Sequence, residues 1–274
     1  TVASGDGLAM AVRAGAASKD MAFVQFHPTA LVVAKDRPFL ITEALRGEGG
    51  VLLDDDGLQK YRTEGGEPEN YSFTLDFSPL GSLATRDVVA RACDQRMKTT
   101  GKDNVWLVTD HLDKEKLSLE FPTIKERLKR HNICLGDDPL PVAPAAHYMV
   151  GGLLVDSNAI VLQKDGNQIP GLYGIGEVAC TGMHGANRLG ASALMQGLAD
   201  GYFVIPYTLG HYLAGTELPS VTVEHPAFRQ VESEAKDKLT RLLSIKGEKT
   251  PQEFHRQIGQ ILWDYVGMSR NAEG

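Results

Sequence analysis

The amino-acid sequence predicts an α+β protein of one or two domains. Short apolar runs separated by glycine and proline fill the first half, a pattern typical of short strands and turns. Residues 171–195 pass from an apolar run through a polar, glycine-rich stretch into a run of small residues, which predicts a strand, a loop and a helix start. After residue 225, apolar residues recur at spacings of three and four, which predicts amphipathic helices.

Composition excludes several classes of protein. The 274 residues are 42% hydrophobic and 23% charged with a net charge of −7, which argues against disorder and against nucleic acid as a ligand. Cys93, Cys134 and Cys180 form no CxxC pair, so we expect a reducing compartment and no metal site or disulfide framework. No apolar run reaches the ~18–20 residues of a membrane span, so we expect a protein that is soluble or held at a membrane by partners.

The chain begins without methionine, in a stretch that already predicts regular structure. Residues 4–7 (SGDG) indicate a turn and a helix cap, and residues 7–17 an alanine-rich helix. We therefore expect the sequence to be a piece of a longer protein.

Residues 21–33 predict two strands separated at His27-Pro28, because proline cannot donate to a strand ladder. This places His27 at a bend, where a structural role is favoured over a catalytic one. Further on, Glu43 and Arg46 are three residues apart and can share one face of a helical turn. A solvated ion pair and a proton relay both remain open for them.

A helix that begins after Ser82 or Thr85 places Arg86 and Asp87 in its first turn. The arginine opposes the helix dipole there, which favours a function for it only slightly. His147 lies in an apolar stretch before two glycines, where a buried structural histidine and a functional one are equally expected. In the loop of residues 171–195, Glu177 and Arg188 favour a bound ligand over a turn that needs glycine for packing alone.

The last part of the sequence predicts helices. Residues 190–214 form a long apolar run with an expected kink at Pro206. Two amphipathic helices follow, the second opened by a capping box at Thr250 and Glu253. We expect them to be the start of a larger helical bundle.

Six motifs, in order, resemble those of one family: the flavoproteins that oxidise or reduce four-carbon dicarboxylates, which include L-aspartate oxidase and the flavoprotein subunits of succinate dehydrogenase and fumarate reductase. The motifs are residues 25–29 (QFHPT), 42–49 (TEALRGEG), 86–91 (RDVVAR), 146–152 (AHYMVGG), 176–177 (GE) and 184–189 (HGANRL). Each motif is weak alone, but the ordered set is specific.

The resemblance implies a division of the chain. Residues 1–24 and 146–215 would form part of an FAD-binding domain, residues 25–145 an α+β capping domain, and residues 225–274 the start of a C-terminal helical domain. The family's N-terminal dinucleotide-binding unit has no counterpart in this sequence. We therefore expect the chain alone to hold FAD weakly.

The resemblance also assigns roles to individual residues. The catalytic set would be Arg86 as general acid/base, with Glu43 and Arg46 as its proton relay. The substrate carboxylates would be bound by His27, Thr42, His147 and Arg188. The FAD contacts would come from Asp6, Glu177, Ala193 and Leu194. The family's Asn-Ser-Leu is replaced here by Ser192-Ala193-Leu194, so backbone contacts to FAD are favoured over side-chain contacts.

The implied reaction is the oxidation of L-aspartate to iminoaspartate, a step of NAD biosynthesis, in the cytoplasm. Residues 121–127, 145–148, 178–184 and 263–267 look closest to L-aspartate oxidase, whereas residues 188–201 look closer to the other members. The first alternative is a succinate dehydrogenase or fumarate reductase flavoprotein, bound to an iron–sulfur subunit at the inner face of the membrane. The second is a fragment without catalytic activity.

Overall fold

The computed structural model describes residues 5–33, 39–217 and 220–273. The chain divides into two compact units, Thr1–Thr208 and Leu209–Gly274. Mixed helix and strand structure fills the first unit, in agreement with the predicted class, and the second is helical.

The strands and helices are numbered here in chain order. The strands are β1 Ser18–Lys19, β2 Val24–Leu31, β3 Phe39–Leu40, β4 Val51–Leu53, β5 Val105–Val108, β6 Leu140–Met149, β7 Gly152–Leu154, β8 Ile160–Leu162, β9 Gln168–Tyr173 and β10 Ala179–Cys180. The helices are α1 Asp6–Arg13, α2 Ala44–Gly47, α3 Asp55–Glu64, α4 Arg86–Thr100, α5 Lys114–Glu120, α6 Pro122–Lys129, α7 Ser192–Ala199, α8 Ile205–Gly215, α9 Pro226–Ser244 and α10 Pro251–Val266. Short 3₁₀ segments cover Pro68–Tyr71, Phe73–Asp76, Gly81–Leu83 and Gly176–Val178.

A five-stranded antiparallel sheet in the order β3-β2-β6-β5-β4 forms the centre of the first unit. Helix α4 packs against β2, β5 and β6, and buries Val89, Ala92 and Cys93 in the main apolar core. Leu107 on β5 pairs with Leu52 and Leu140 on its two neighbours, at the middle of this core. Burial of this helix face fixes the position of the first turn of α4, which carries Arg86.

The two central strands, β2 and β6, are paired with two shifts of register. His27 pairs with Ala145 and Ala30 pairs with Ala143, so β2 has one more residue than β6 between these two pairs. The extra residue forms a bulge beside Pro28. The predicted break at His27-Pro28 is therefore wrong: His27 lies inside β2 and pairs with Ala145. A bulge tolerates the missing proline donor, so the strand continues through it.

A second, smaller sheet has the order β1-β7-β10, and β8 and β9 form a separate antiparallel pair. In the small sheet β7 runs antiparallel to β1 and parallel to β10. Its apolar side packs with α1 through Ala11, Leu153 and Val161. The chain leaves β10 into the glycine-rich loop of residues 181–191 and enters α7, in the order that the sequence predicts.

The helical run after this loop is continuous but not uniform. A π-helical segment, Asp200–Val204, separates α7 from α8 and ends two residues before Pro206. The sequence predicts a kink here, because proline has no N–H to donate to the α-helical hydrogen bonds. The π-helical turn is wider than an α-helical turn, and it lies next to this proline.

The second unit contains α9 and α10. Thr250 and Glu253 form the predicted capping box: the Thr250 hydroxyl accepts from the Glu253 N–H, and the Glu253 carboxylate accepts from the Thr250 N–H. The side chains that form the predicted apolar stripes are exposed; they include Phe228, Val231, Leu239, Leu242, Phe254, Ile258, Ile261, Leu262 and Tyr265. No helix in the part of the chain that the structure describes is both long enough and apolar enough to cross a membrane.

The three cysteines carry free thiols; Cys93 and Cys180 are buried and Cys134 is exposed. Within residues 5–33, 39–217 and 220–273, no three His, Cys, Asp or Glu side chains come together as a metal site requires.

Replacing Leu107 by alanine should lower the free energy of unfolding by about 2–5 kcal/mol, because the side chain is 0% exposed and its removal leaves a cavity in the main core. Urea unfolding followed by circular dichroism measures this change. Leu119→Ala is the matched control, since Leu119 is 81% exposed. Its effect should stay within about 0.5 kcal/mol. Equal effects of the two substitutions would contradict the assignment of the core.

Candidate active site

Separate segments of the first unit bring six of the predicted residues together. These residues, called the basic cluster below, are His27 on β2, Glu43 and Arg46 at α2, Arg86 at the start of α4, His147 on β6 and Arg188 in the loop before α7.

The carboxylate of Glu43 lies between two guanidinium groups. Arg86 contacts its Oε2 atom with both Nε and Nη2, each at 2.7 Å. Arg46 places Nη2 at 3.7 Å from Oε1 of the same carboxylate, so the predicted pair of Glu43 and Arg46 is present. The ion pair also compensates for the position of Arg86 at the positive end of the α4 dipole. One carboxylate therefore connects the buried Arg46 with Arg86, whose side chain is 11% exposed.

Arg46 is 1% exposed, and its guanidinium is incompletely hydrogen-bonded. Its Nη1 atom donates to the backbone oxygen of Ser82, while Nε and Nη2 have no hydrogen-bond partner in the described part of the chain. Burial lowers the pKa of Arg46, and the neighbouring Glu43 opposes this effect. The buried guanidinium is thus a stronger acid than an arginine in water.

His27 is neutral, and its hydrogen bonds define its tautomer. The backbone N–H of Thr29 donates to Nδ1 at 3.2 Å, so the proton of the neutral ring lies on Nε2. Burial, together with the charges of Arg86, Arg46 and Arg188 and the neighbouring His147, lowers the pKa of His27 to about 3. The Nε2 atom is buried and has no hydrogen-bond partner among the described residues. The Nε2–H group of His27 can therefore donate a hydrogen bond to a ligand oxygen.

His147 is the extra residue of the second register shift between β2 and β6. Ala146 pairs with Phe26 and Tyr148 with Gln25, which leaves His147 outside the regular ladder. Its ring meets that of His27 edge to face, with centroids 5.4 Å apart. Burial lowers the pKa of His147, and the charges of Arg86 and Arg188 act in the same direction.

Arg188 lies against the ring of Tyr148, with its Cζ atom 4.6 Å from the ring centroid. Nη1 donates to the backbone oxygen of Leu189 at 2.9 Å, whereas Nε is buried without a partner in the part of the chain described here. Burial and the charge of Arg86 lower the pKa of Arg188. Among the described residues no carboxylate lies within 4 Å of this guanidinium, although Glu177 and Glu43 act on it from a greater distance.

Three residues without a predicted role also belong to the site. Gln25 accepts from Arg86 Nη1 at 3.4 Å and donates to the Asn187 side chain and to the Arg188 backbone oxygen. Asn187 in turn donates to Asp87 at 3.0 Å. Gln25 could have been found from the sequence, because it lies two positions before His27 in a predicted strand and therefore on the same face of that strand. No sequence pattern indicates the partners of Asn187.

Thr42 lies beside Glu43, and its hydroxyl accepts a local hydrogen bond from the Ala44 N–H at 3.4 Å.

Gly190 lies against the ion pair of Glu43 and Arg86. A Cβ atom at Gly190 would be 3.4 Å from Glu43 Oε2 and 3.6 Å from Arg86 Nη2. The loop backbone therefore borders Glu43 and Arg86 directly.

The residues assigned to FAD occupy several places. Asp6 begins α1, and Glu177 lies in a 3₁₀ segment, where its Oε1 atom accepts from the Met149 N–H at 3.1 Å. Ala193 and Leu194 lie in the first turn of α7, whose N-cap makes no side-chain hydrogen bond. The N–H groups of such a turn have no acceptor within the helix. Open backbone donors next to the basic cluster fit the oxygen and nitrogen edge of a flavin.

Comparison with known proteins gives consistent results. The family described as "FAD binding domain" matches residues 1–194. The chain is 37% identical to L-aspartate oxidase of Nostoc sp. over 98% of its length and 38% identical to L-aspartate oxidase of Pseudomonas aeruginosa over 97%. It spans 42% and 44% of those two relatives, respectively.

Solved structures show the same relationship. A variant of E. coli quinol fumarate reductase FrdA is similar with a TM-score of 0.74 and 28% identity, over 97% of this chain and 44% of that one. Sdh1 of Mycobacterium smegmatis is similar with a TM-score of 0.64 and 29% identity, over 97% of this chain and 41% of that one. The chain belongs to the FAD-binding flavoprotein family that includes the L-aspartate oxidases and the flavoproteins of fumarate reductase and succinate dehydrogenase.

Proposed function

We propose that this chain belongs to an FAD-dependent oxidoreductase of four-carbon dicarboxylates, and that its reaction is the oxidation of L-aspartate to iminoaspartate. The observation that carries the proposal is the excess of positive charge in the basic cluster. Arg46, Arg86 and Arg188 surround the site, and in the described part of the chain only Glu43 forms ion pairs with them. A ligand with two carboxylates would balance this charge.

Unused donors support the same ligand. The buried Nε2–H of His27 and Nε–H of Arg188 lack partners among the described residues, and an unsatisfied buried donor costs about 1–3 kcal/mol. Each would be satisfied by a carboxylate oxygen. We assign His27, Thr42, His147 and Arg188 to the two substrate carboxylates, with the guanidinium of Arg188 as the strongest contact. Binding at both ends would orient the central carbons of the substrate.

Arg86 is the proposed acid/base residue. Its guanidinium reaches Glu43, and Glu43 in turn neighbours Arg46, so the three form a path for a proton between the cleft and the buried side of α2. In L-aspartate oxidation the substrate loses a hydride equivalent and a proton. Arg86 would exchange that proton with the substrate, and Glu43 and Arg46 would pass it on.

The cofactor contacts are proposed for Asp6, Glu177, Ala193 and Leu194. The open N–H groups in the first turn of α7 would donate to the flavin, and the positive end of the α7 dipole would favour negative charge there. FAD, when bound, supplies the two-electron acceptor for the hydride equivalent.

We propose the same division of the chain that the motifs imply. The five-stranded sheet up to residue 145, together with α2–α6, would be a capping domain of residues 25–145, and the end of β6 would lead into the FAD-binding part. The small sheet, α1 and α7 fit an FAD-binding part made of residues 1–24 and 146–215. Residues 225–274, which contain α9 and α10, would begin a helical bundle that covers their exposed apolar stripes.

A second candidate is the interconversion of succinate and fumarate by a flavoprotein that passes electrons to an iron–sulfur subunit. The likeness to E. coli quinol fumarate reductase FrdA favours it, and the basic cluster suits any of these dianions. L-aspartate is preferred because this chain is 37% and 38% identical to the two oxidases over the 273 and 267 residues that align. We propose a cytoplasmic location for the oxidase, and the inner face of a membrane for the second candidate.

In the FAD-loaded protein, Arg86→Lys should reduce turnover of L-aspartate by roughly 10²- to 10⁴-fold, the usual contribution of a positioned acid/base group. The lysine keeps the positive charge, so the dissociation constant of the substrate should change little. Steady-state kinetics and equilibrium binding measure the two effects. Arg62→Lys, an exposed arginine on α3, is the matched control and should leave both values unchanged. Undiminished turnover in Arg86→Lys would exclude it as the acid/base residue.

The pKa of His27 predicts a specific dependence of stability on pH. The unfolded chain protonates this histidine near pH 6.5, whereas the folded protein does so only near pH 3, so acid favours unfolding between these values. From pH 7 to pH 5 this one group should lower the free energy of unfolding by about 2 kcal/mol. His27→Gln removes the group, so the stability difference between the two proteins should change by that amount. A difference that stays constant from pH 7 to pH 5 would show that His27 is not held neutral.

A further inference from the structure

We propose that Asn187 is a positioning residue that sets the separation of Arg188 from the binding groups on β2, and so determines the length of the ligand that the site accepts. The proposal rests on the proposed function, because it assumes that His27 on β2 and Arg188 in the loop act on one two-ended ligand. It goes beyond the six residues of the basic cluster, since Asn187 contacts none of their charged groups.

The side chain of Asn187 closes a ring of hydrogen bonds. Its Oδ1 atom accepts from Gln25 Nε2 at 3.0 Å, and its Nδ2 atom donates to Asp87 Oδ1 at 3.0 Å. Gln25 accepts from Arg86 Nη1 at 3.4 Å, and Asp87 follows Arg86 directly on α4. The ring therefore connects three elements: β2, the first turn of α4, and the loop that carries Arg188.

The same ring holds the backbone of the next residue. The second N–H of the Gln25 carboxamide donates to the backbone oxygen of Arg188. Gln25 is only 5% exposed and lies in a paired strand, so it is a rigid support for the loop. The Gln25 carboxamide therefore contacts both arginines. Its oxygen accepts from the side chain of Arg86, and its nitrogen donates to the backbone oxygen of Arg188.

The loop needs such a support because its own sequence gives little rigidity. Gly182 and Gly185 adopt positive φ values of 82° and 57°, which few other residues adopt, and they leave the backbone free of side-chain packing. Arg86 and Arg188 also repel each other, and Glu43 pairs with Arg86 but not within 4 Å of Arg188. Loss of the Asn187 side chain would remove two of the contacts that hold the loop against this repulsion.

The position requires both a donor and an acceptor. The acceptor meets Gln25 and the donor meets Asp87, whose other oxygen is paired with Arg91 at 3.0 Å. Aspartate would supply no donor and would place a carboxylate against Asp87, and alanine would supply neither group. Asparagine satisfies both partners with one planar group.

A fixed separation of two binding groups matters only for a ligand that uses both. Loss of Asn187 should therefore weaken a dicarboxylate much more than a monocarboxylate of the same chain length, because the monocarboxylate uses one group alone. General damage to the fold would weaken both ligands equally. This contrast separates positioning from a structural role.

The test is calorimetric titration of the full chain with succinate and with butyrate. For Asn187→Ala we expect the dissociation constant of succinate to rise at least about tenfold and that of butyrate less than about twofold. Asn187→Asp keeps the shape of the side chain and should show the same contrast, which gives a second reading if the alanine variant does not fold. Asn167→Ala is the matched control: Asn167 is exposed, and its side chain donates to Asp165 within the same turn, far in the chain from the site residues, so both constants should stay unchanged.

Two results would overturn the inference while the proposed function stands: unchanged succinate binding in the Asn187 variants, or an equal loss for succinate and butyrate. Failure of the unsubstituted chain to bind succinate more tightly than butyrate would overturn the proposed function, and the inference with it. A tenfold loss confined to succinate would support both.

Discussion

The site depends on one carboxylate that pairs with two guanidinium groups. Glu43 fixes Arg86 at 2.7 Å and neutralises part of the charge of buried Arg46, which could not remain inside the protein alone. Arg188 adds a third positive charge, and in the described part of the chain no carboxylate lies within 4 Å of it, so the site is left short of negative charge. The proposed binding of a dianion and the proposed proton path both rest on this arrangement.

The fold supplies this geometry through irregular backbone at defined points. Two register shifts between β2 and β6 place His147 outside the ladder and accommodate Pro28, so that His27 can face the arginines while the strands remain paired. Burial of α4 against the sheet holds its first turn, and with it Arg86, next to Glu43. The loop before α7 contributes Arg188 and brings Gly190 against the same ion pair.

Local contacts could be predicted from the sequence, and distant ones only through the family's motifs. The spacing of Glu43 and Arg46 was sufficient to predict their pairing, whereas the contact of Glu43 with Arg86 joins residues 43 positions apart. The proline after His27 predicted a break in the strand, and this prediction was wrong. The register shift that accommodates the proline depends on the partner strand, so it leaves no local pattern in the sequence. The motif of residues 184–189 contains Asn187, but nothing in the sequence pattern predicted its two partners, because they lie on elements distant in the chain.

The positive charge left around Glu43 is proposed to serve the oxidation of L-aspartate. The absorbance of the flavin in the FAD-loaded protein, recorded under anaerobic conditions with L-aspartate and succinate added in turn, tests this role. L-aspartate is expected to bleach the flavin, and succinate is not. Bleaching by succinate alone would contradict the assigned substrate and favour a flavoprotein that works with an iron–sulfur subunit, and bleaching by neither would contradict the dicarboxylate site itself.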